Sequence, residues 1–151
     1  PVEIQQALRQ RLLDLYWELQ AYPEVPQMLR ALKTGGLNTA ILSNGSPAML
    51  DGAVQAAGIG DALDDVLSVE SVGIFKPDAR VYDLVGQRFG CAKDEVLFVS
   101  SNGWDAAGAA AYGFTTVWVN RGAEPMDRLP AHPHHTLKDL TRVPHLAKEA
   151  G

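Results

Sequence analysis

At 151 residues the chain fits one domain, and 46% hydrophobic against 21% charged residues is the composition of an ordinary globular protein. A net charge of −5 with no basic stripe argues against a nucleic-acid partner. The single Cys91 excludes an intrachain disulfide and a cysteine zinc site, and the absence of a membrane-length apolar run or signal-peptide layout makes a cytoplasmic protein without membrane contact the expectation.

Ile4, Leu8, Leu12, Leu15 and Leu19 recur at helical spacing and predict a helix over 3–19. Leu13, Tyr16 and Trp17 widen its apolar face beyond what a solvated helix needs, so it should pack against something large, and the face permits a homodimer. Ala21-Tyr22-Pro23 ends it. Pro23 suits the first turn of a second helix over 24–33, which Gly35-Gly36 closes. A strand over 37–42 leads into a Ser-Asn-Gly-Ser turn at 43–46, then a helix from Pro47 to near Gly58. Residues 65–69 read as another strand. Lys76-Pro77 opens the next helix, which carries Tyr82 and ends at Phe89-Gly90. A strand over 96–100 feeds the loop up to Asp105 and an alanine-rich helix over 106–112; Gly113 stops it, and 115–119 is a strand. The Pro-, Gly- and His-rich segment 122–139 is mostly irregular, with a short last strand near 135–137. Strands separated by helices of about ten to fifteen residues imply parallel βαβ units, hence an α/β fold.

Several signals are weak. Gly58-Ile59-Gly60 follows a helix rather than a strand and lacks the third glycine of a dinucleotide fingerprint. His132, His134 and His135 sit in a proline-rich stretch that reads as an exposed loop, whereas catalytic zinc needs three rigid ligands. No Gly-x-Ser-x-Gly elbow is present. Three polar clusters are stronger. Ser43 and Asn44 can cap the helix starting at Pro47, and the same geometry aims backbone N–H groups at an anion. Lys76 lies between Ile74-Phe75 and Pro77, which suits a semi-buried ammonium. Asp105 suits a first helical turn. Each has a plain structural reading. Together, at successive strand-to-helix junctions, they point to one site at the carboxyl ends of the strands, where open α/β sheets bind ligands.

In this order, Ser43-Asn44, Lys76-Pro77 and the acidic loop around Asp105 resemble motifs II, III and IV of the haloacid dehalogenase superfamily. The stretches 41–47, 75–78 with Tyr82, and 98–105 are similar in particular to the L-2-haloacid dehalogenases, and the similarity runs from about Leu12 to Val143. The resemblance implies a Rossmann-like parallel sheet with a helical cap inserted after the first strand. Residues 1–21 would be the last cap helix and 22–151 the core carrying motifs II to IV. It further implies that the central strand with the nucleophilic aspartate, most of the cap, and a halide-holding arginine belong upstream of Pro1. The chain as written is then expected to lack its nucleophile and central strand and to turn over nothing alone.

For the intact enzyme the resemblance implies an (S)-2-haloacid dehalogenase, in which a carboxylate displaces halide from C2 of a short L-2-haloalkanoate and the resulting aspartyl ester is hydrolysed to a 2-hydroxy acid. Lys76 would keep that carboxylate ionised and Asp105 would position Lys76. Ser100 and Asn102 would hold the nucleophile and the attacking water. Ser43 would grip the substrate carboxylate, and Tyr82 would orient Lys76 or touch that carboxylate. Asn44 and Trp104 would receive the halide. No cofactor and no metal is expected: Ser100, Ser101 and Asn102 are neutral and only Asp105 is acidic, too little charge to hold magnesium. The alternatives are a magnesium-dependent phosphatase of the same superfamily and a non-catalytic fragment or interaction module, whose uncovered strand edges would invite self-association.

Overall fold

The computed structural model describes residues 5–149. Helix α1 (Gln6–Asp14) runs into a tight 3-10 turn, Leu15–Trp17, and so ends before residue 19. Ile4 and the side chain of Tyr16 lie outside the described residues. No residue of α1 is buried, and Leu8, Leu12, Leu15 and Leu19 are about half exposed. The turn at its end has a purpose: it lays the Trp17 ring on Gly52 of α3 (Pro47–Ala57), where a Cβ atom would overlap the ring.

Helix α2 (Val25–Thr34) corrects one expectation. Its first-turn proline is Pro26, not Pro23, because the helix starts only after Glu24. Strand β1 (Ala40–Ser43) is followed by α3, which Ser46 caps by accepting from the Met49 N–H at 3.4 Å and which ends at Gly58 with φ +62°. Strand β2 (Asp65–Ser68) comes next. Helix α4 (Ala79–Phe89) begins two residues past the predicted Lys76-Pro77, because Asp78 is its cap. Arg80 ion-pairs with that carboxyl and, with the backbone N–H of Arg80, lowers its pKa to about 2. Strand β3 (Leu97–Ser100) leads to α5 (Gly103–Tyr112), which starts three residues before the predicted 106 as the Asn102 carbonyl accepts from the N–H groups of Asp105 and Ala106. Strands β4 (Thr115–Val119) and β5 (His135–Leu137) follow as predicted, and a last helix α6 (Val143–Glu149), not foreseen, buries Val143 and Leu146.

The strands form two parallel sheets. β1 pairs with β2 from Ala40↔Asp65 to Ser43↔Ser68. β3 pairs with β4 from Leu97↔Thr115, and β4 with β5 from Val117↔His135. Among the described residues β1 and β3 do not pair. The α/β class with parallel strands is therefore as expected from the spacing of the elements. Side chains, not ladder hydrogen bonds, join the two sheets. Leu42 of β1 packs on a cluster of Tyr82, Phe98, Ala109 and Phe114, in which the Tyr82 ring meets Phe98 and Phe114 edge-on at 5.9 Å each. A second cluster, Val117, Val119 and Leu146, lies against Leu97, Val99, Leu137 and Leu140.

The histidine-rich segment has a structural use. His134 Nδ1 accepts from the Thr116 N–H at 3.1 Å, while the His134 N–H donates to the Thr116 hydroxyl at 3.2 Å, which fastens the approach to β5 onto β4.

Candidate active site

The Lys76 side chain crosses the gap between the two sheets. Its ammonium donates to the Leu42 carbonyl of β1 at 3.0 Å and to Asp105 Oδ2 at 2.8 Å. The pair is enclosed, with side-chain exposures of 8% for Lys76 and 5% for Asp105. The Phe98 ring adds its face 5.4 Å from the ammonium. Removing two charges from water costs several kcal/mol per ion, so such a pair persists only where geometry is good and the other lone pairs are filled. They are filled here: Asp105 Oδ2 also accepts from the Ser100 hydroxyl at 2.9 Å, and the Tyr82 hydroxyl reaches Oδ1 at 3.5 Å. Two ammonium protons are thus used and one is left for another acceptor.

The two strand-end turns are held by polar contacts. The Ser43 hydroxyl accepts from the Gly45 N–H at 3.0 Å, and the Ser68 hydroxyl donates to the Gly45 carbonyl at 2.7 Å, so the 43–46 turn is fixed from both sides. Asn44 Oδ1 accepts from the Lys76 backbone N–H at 3.0 Å, which leaves the Asn44 amide N–H groups as donors. On the other turn, the Ser100 hydroxyl accepts from the Asn102 N–H at 3.1 Å. The Asn102 side chain is exposed, and Trp104 is 41% exposed.

The sequence-derived residues therefore divide. Lys76, Asp105, Ser100 and Tyr82 form one connected cluster, and Asn44 and Ser43 join it through the Lys76 backbone and the 43–46 turn. Asn102 and Trp104 stand on the exposed side of the same loop. Of the two places open to Tyr82, orienting Lys76 or touching the substrate carboxylate, its geometry fits the first better. It is fully buried, with its hydroxyl toward Asp105, so it is suited to orienting the pair and has no surface to offer a substrate. Burial, then the Asp105 charge, raises its phenol pKa well above the ordinary value.

Two supports were not legible as site residues. Trp118 on β4 donates its indole N–H to the Ser101 carbonyl at 3.1 Å and braces the 100–105 loop. A tryptophan inside a buried strand must find an acceptor for that proton, which was the available signal. The Leu42 carbonyl is a main-chain ligand to Lys76 and carried no signal at all. Among the described residues no group of three or more His, Cys, Asp or Glu side chains converges as a metal-binding set.

A family model for haloacid dehalogenase-like hydrolases matches residues 2–113. The chain is 48% identical over 139 residues to (S)-2-haloacid dehalogenase 1 of Pseudomonas sp. (strain CBS-3), covering 92% of this chain and 61% of that protein. The solved structure of an L-2-haloacid dehalogenase superposes with a TM-score of 0.89 at 40% identity, covering 98% of this chain and 64% of the other. That of the L-2-haloacid dehalogenase from Xanthobacter autotrophicus with chloropropionic acid covalently bound gives a TM-score of 0.86 at 32% identity, covering 97% and 69%. The chain spans about six tenths of the length of the curated relatives it matches.

Proposed function

The chain belongs to the haloacid dehalogenase-like hydrolases, and from that premise we propose that it carries the lysine-bearing half of an (S)-2-haloacid dehalogenase centre. The observation that carries this reading is the enclosed Lys76–Asp105 pair at 2.8 Å, set between the carboxyl ends of β1 and β3. Asp105 neutralises Lys76 and fixes its direction, and the unused ammonium proton is the donor that holds an attacking carboxylate ionised. A second carboxylate is required. Asp105 is not suited to attack, because it is buried with Lys76 and Ser100 on its Oδ2 and the Tyr82 hydroxyl facing its Oδ1, so in this reading the attacking group comes from a segment beyond these site residues.

In this mechanism the carboxylate oxygen bonds to C2 as the C2–halogen bond breaks and the halide leaves with its electron pair. Water then adds to the ester carbonyl, the acyl C–O bond breaks, and the 2-hydroxy acid departs with the carboxylate restored. The Ser43 hydroxyl, with the N–H groups of the 43–46 turn, takes the substrate carboxylate. The Asn44 amide and the edge of Trp104 face the departing halide, and Asn102 and Ser100 direct the nucleophile and water. The only acid of the 100–105 loop is committed to Lys76, which favours carbon–halogen chemistry over magnesium-dependent phosphate hydrolysis. Residues 1–21 belong to a cap in this reading, which the lack of buried residues on α1 supports. A small anionic 2-haloacid as substrate, an apolar face on α1 that permits a homodimer, and a cytoplasmic location complete the reading. No described helix is long and apolar enough to cross a membrane.

The test is halide release. The natural protein containing these residues is expected to free chloride from L-2-chloropropionate in the presence of a metal chelator, the 151-residue chain alone is not, and Lys76→Ala should lower turnover by orders of magnitude where His134→Ala does little. Phosphatase turnover that requires magnesium, with no halide released, would overturn the proposal.

A further inference from the structure

Helix α5 meets α4 along one face, on which Asp105, Gly108 and Tyr112 succeed one another at helical spacing. The outer two reach across by hydrogen bonds, Asp105 to Lys76 and Tyr82, and Tyr112 to Asp83. Gly108 contributes a gap. A Cβ atom built there would lie 2.8 Å from the Tyr82 hydroxyl and 2.8 Å from Pro77 Cβ, closer than real Cβ atoms come. Neither neighbour is a flexible end that could swing aside. Tyr82 is fully buried, with its ring edge-on to two phenylalanines, and Pro77 is a ring within the chain directly after Lys76. Every other small residue of this helix from 106 to 111 is alanine, the better helix former, so the lone glycine is unfavourable locally and needs a packing reason.

We infer that Gly108 is a positioning residue: its missing Cβ sets how closely α5 approaches Pro77 and Tyr82, and thereby holds the Lys76 ammonium on Asp105. The consequence for catalysis rests on the dehalogenase reading above; the geometric assignment does not.

Hydrogen exchange of the Lys76 ammonium, followed by NMR on the 151-residue chain, tests it. In Gly108→Ala the ammonium protons should exchange about tenfold faster or more, the loss expected when a hydrogen bond between charged groups is weakened. The backbone amides of Val117 and Val119 report global opening and should change far less, whereas a merely structural defect would speed both alike. Adding Tyr82→Phe, which deletes the oxygen that the new methyl meets, should return part of the protection. Gly86→Ala on α4, where a Cβ finds nothing nearer than the Cys91 carbonyl at 3.4 Å, should leave the ammonium unchanged. If Gly108→Ala alone is unfolded, recovery of fold and protection in the double variant supports the assignment, and no recovery overturns it. A folded Gly108→Ala with native ammonium exchange also overturns it. Failure of the natural protein to release chloride would sink the dehalogenase reading while leaving this result standing.

Discussion

Asp105→Ala probes the feature on which the site depends. At 2.8 Å and an effective dielectric of about 20, the attraction between the two charges is roughly 6 kcal/mol, most of it offset by the cost of taking both from water. Removing one partner forfeits the attraction but keeps the other charge buried, a loss of about 3–5 kcal/mol. Lys76 would keep the Leu42 carbonyl as its only hydrogen-bond acceptor, beside the Phe98 ring, and the Ser100 hydroxyl would lose its acceptor. With a urea m-value of about 2 kcal/mol per molar, that loss moves the unfolding midpoint down by roughly 1.5–2.5 M. Lys76→Met combined with Asp105→Leu replaces both charges with apolar groups of similar size and should recover most of the loss, because no charge is then left unpaired. The assay is equilibrium urea unfolding of the three chains, unsubstituted, Asp105→Ala and the double variant, with matched m-values. A cost for Asp105→Ala below about 1 kcal/mol would place the pair among solvated surface pairs, and the account of an enclosed cation joining the two sheets would be wrong.

Two further outcomes are expected. The Tyr82 phenol has its pKa raised above 10.0 first by burial and then by the Asp105 charge; a raised value means its contribution is complete below the unfolded pKa and is lost as pH climbs toward the folded one. Urea midpoints should therefore fall above about pH 10, and Tyr82→Phe should flatten that fall in part, the remainder belonging to Tyr112, which burial and Asp83 push up to about 12; an identical alkaline profile for Tyr82→Phe would contradict the burial of its hydroxyl. Gly52→Ala should unseat the Trp17 ring at a cost of about 1–3 kcal/mol through overpacking, seen as altered tryptophan emission that disappears when Trp17→Ala is added; unchanged emission would mean that the ring does not rest on α3.

Much of this was readable along the chain because it depends on neighbours in sequence. The glycines at 58, 90 and 113 mark helix ends by their positive φ angles, whereas the caps were misplaced: Ser46, not Ser43 or Asn44, caps α3, and Asp78 rather than Lys76-Pro77 sets the start of α4. The errors lie where contacts distant in sequence decide. Pro23 and Pro26 both fit a first turn, and the choice fell to Pro26 once Glu24 was drawn to Arg121 and to the Leu140 N–H, contacts about a hundred residues away in sequence. Helix α6 was missed because Val143 and Leu146 alone are too few to show a period; Leu146 is buried in a cluster with Val117 and Val119, which lie far from it in sequence.

The site follows the same division. Residue type and order pointed to Ser43, Asn44, Lys76 and Asp105 as one set, since strand-to-helix junctions in a parallel sheet gather at one end; Ser100, Asn102 and Trp104 were singled out through the family resemblance. Sequence also limited the loop to a single acid. It could not say that Lys76 would be enclosed, that Tyr82 would turn inward to Asp105, or that Gly108 would be the gap that admits it. Those facts arise from side chains brought together across about thirty residues of chain, where desolvation and steric fit act between elements, and neither force leaves a periodic trace in the order of amino acids.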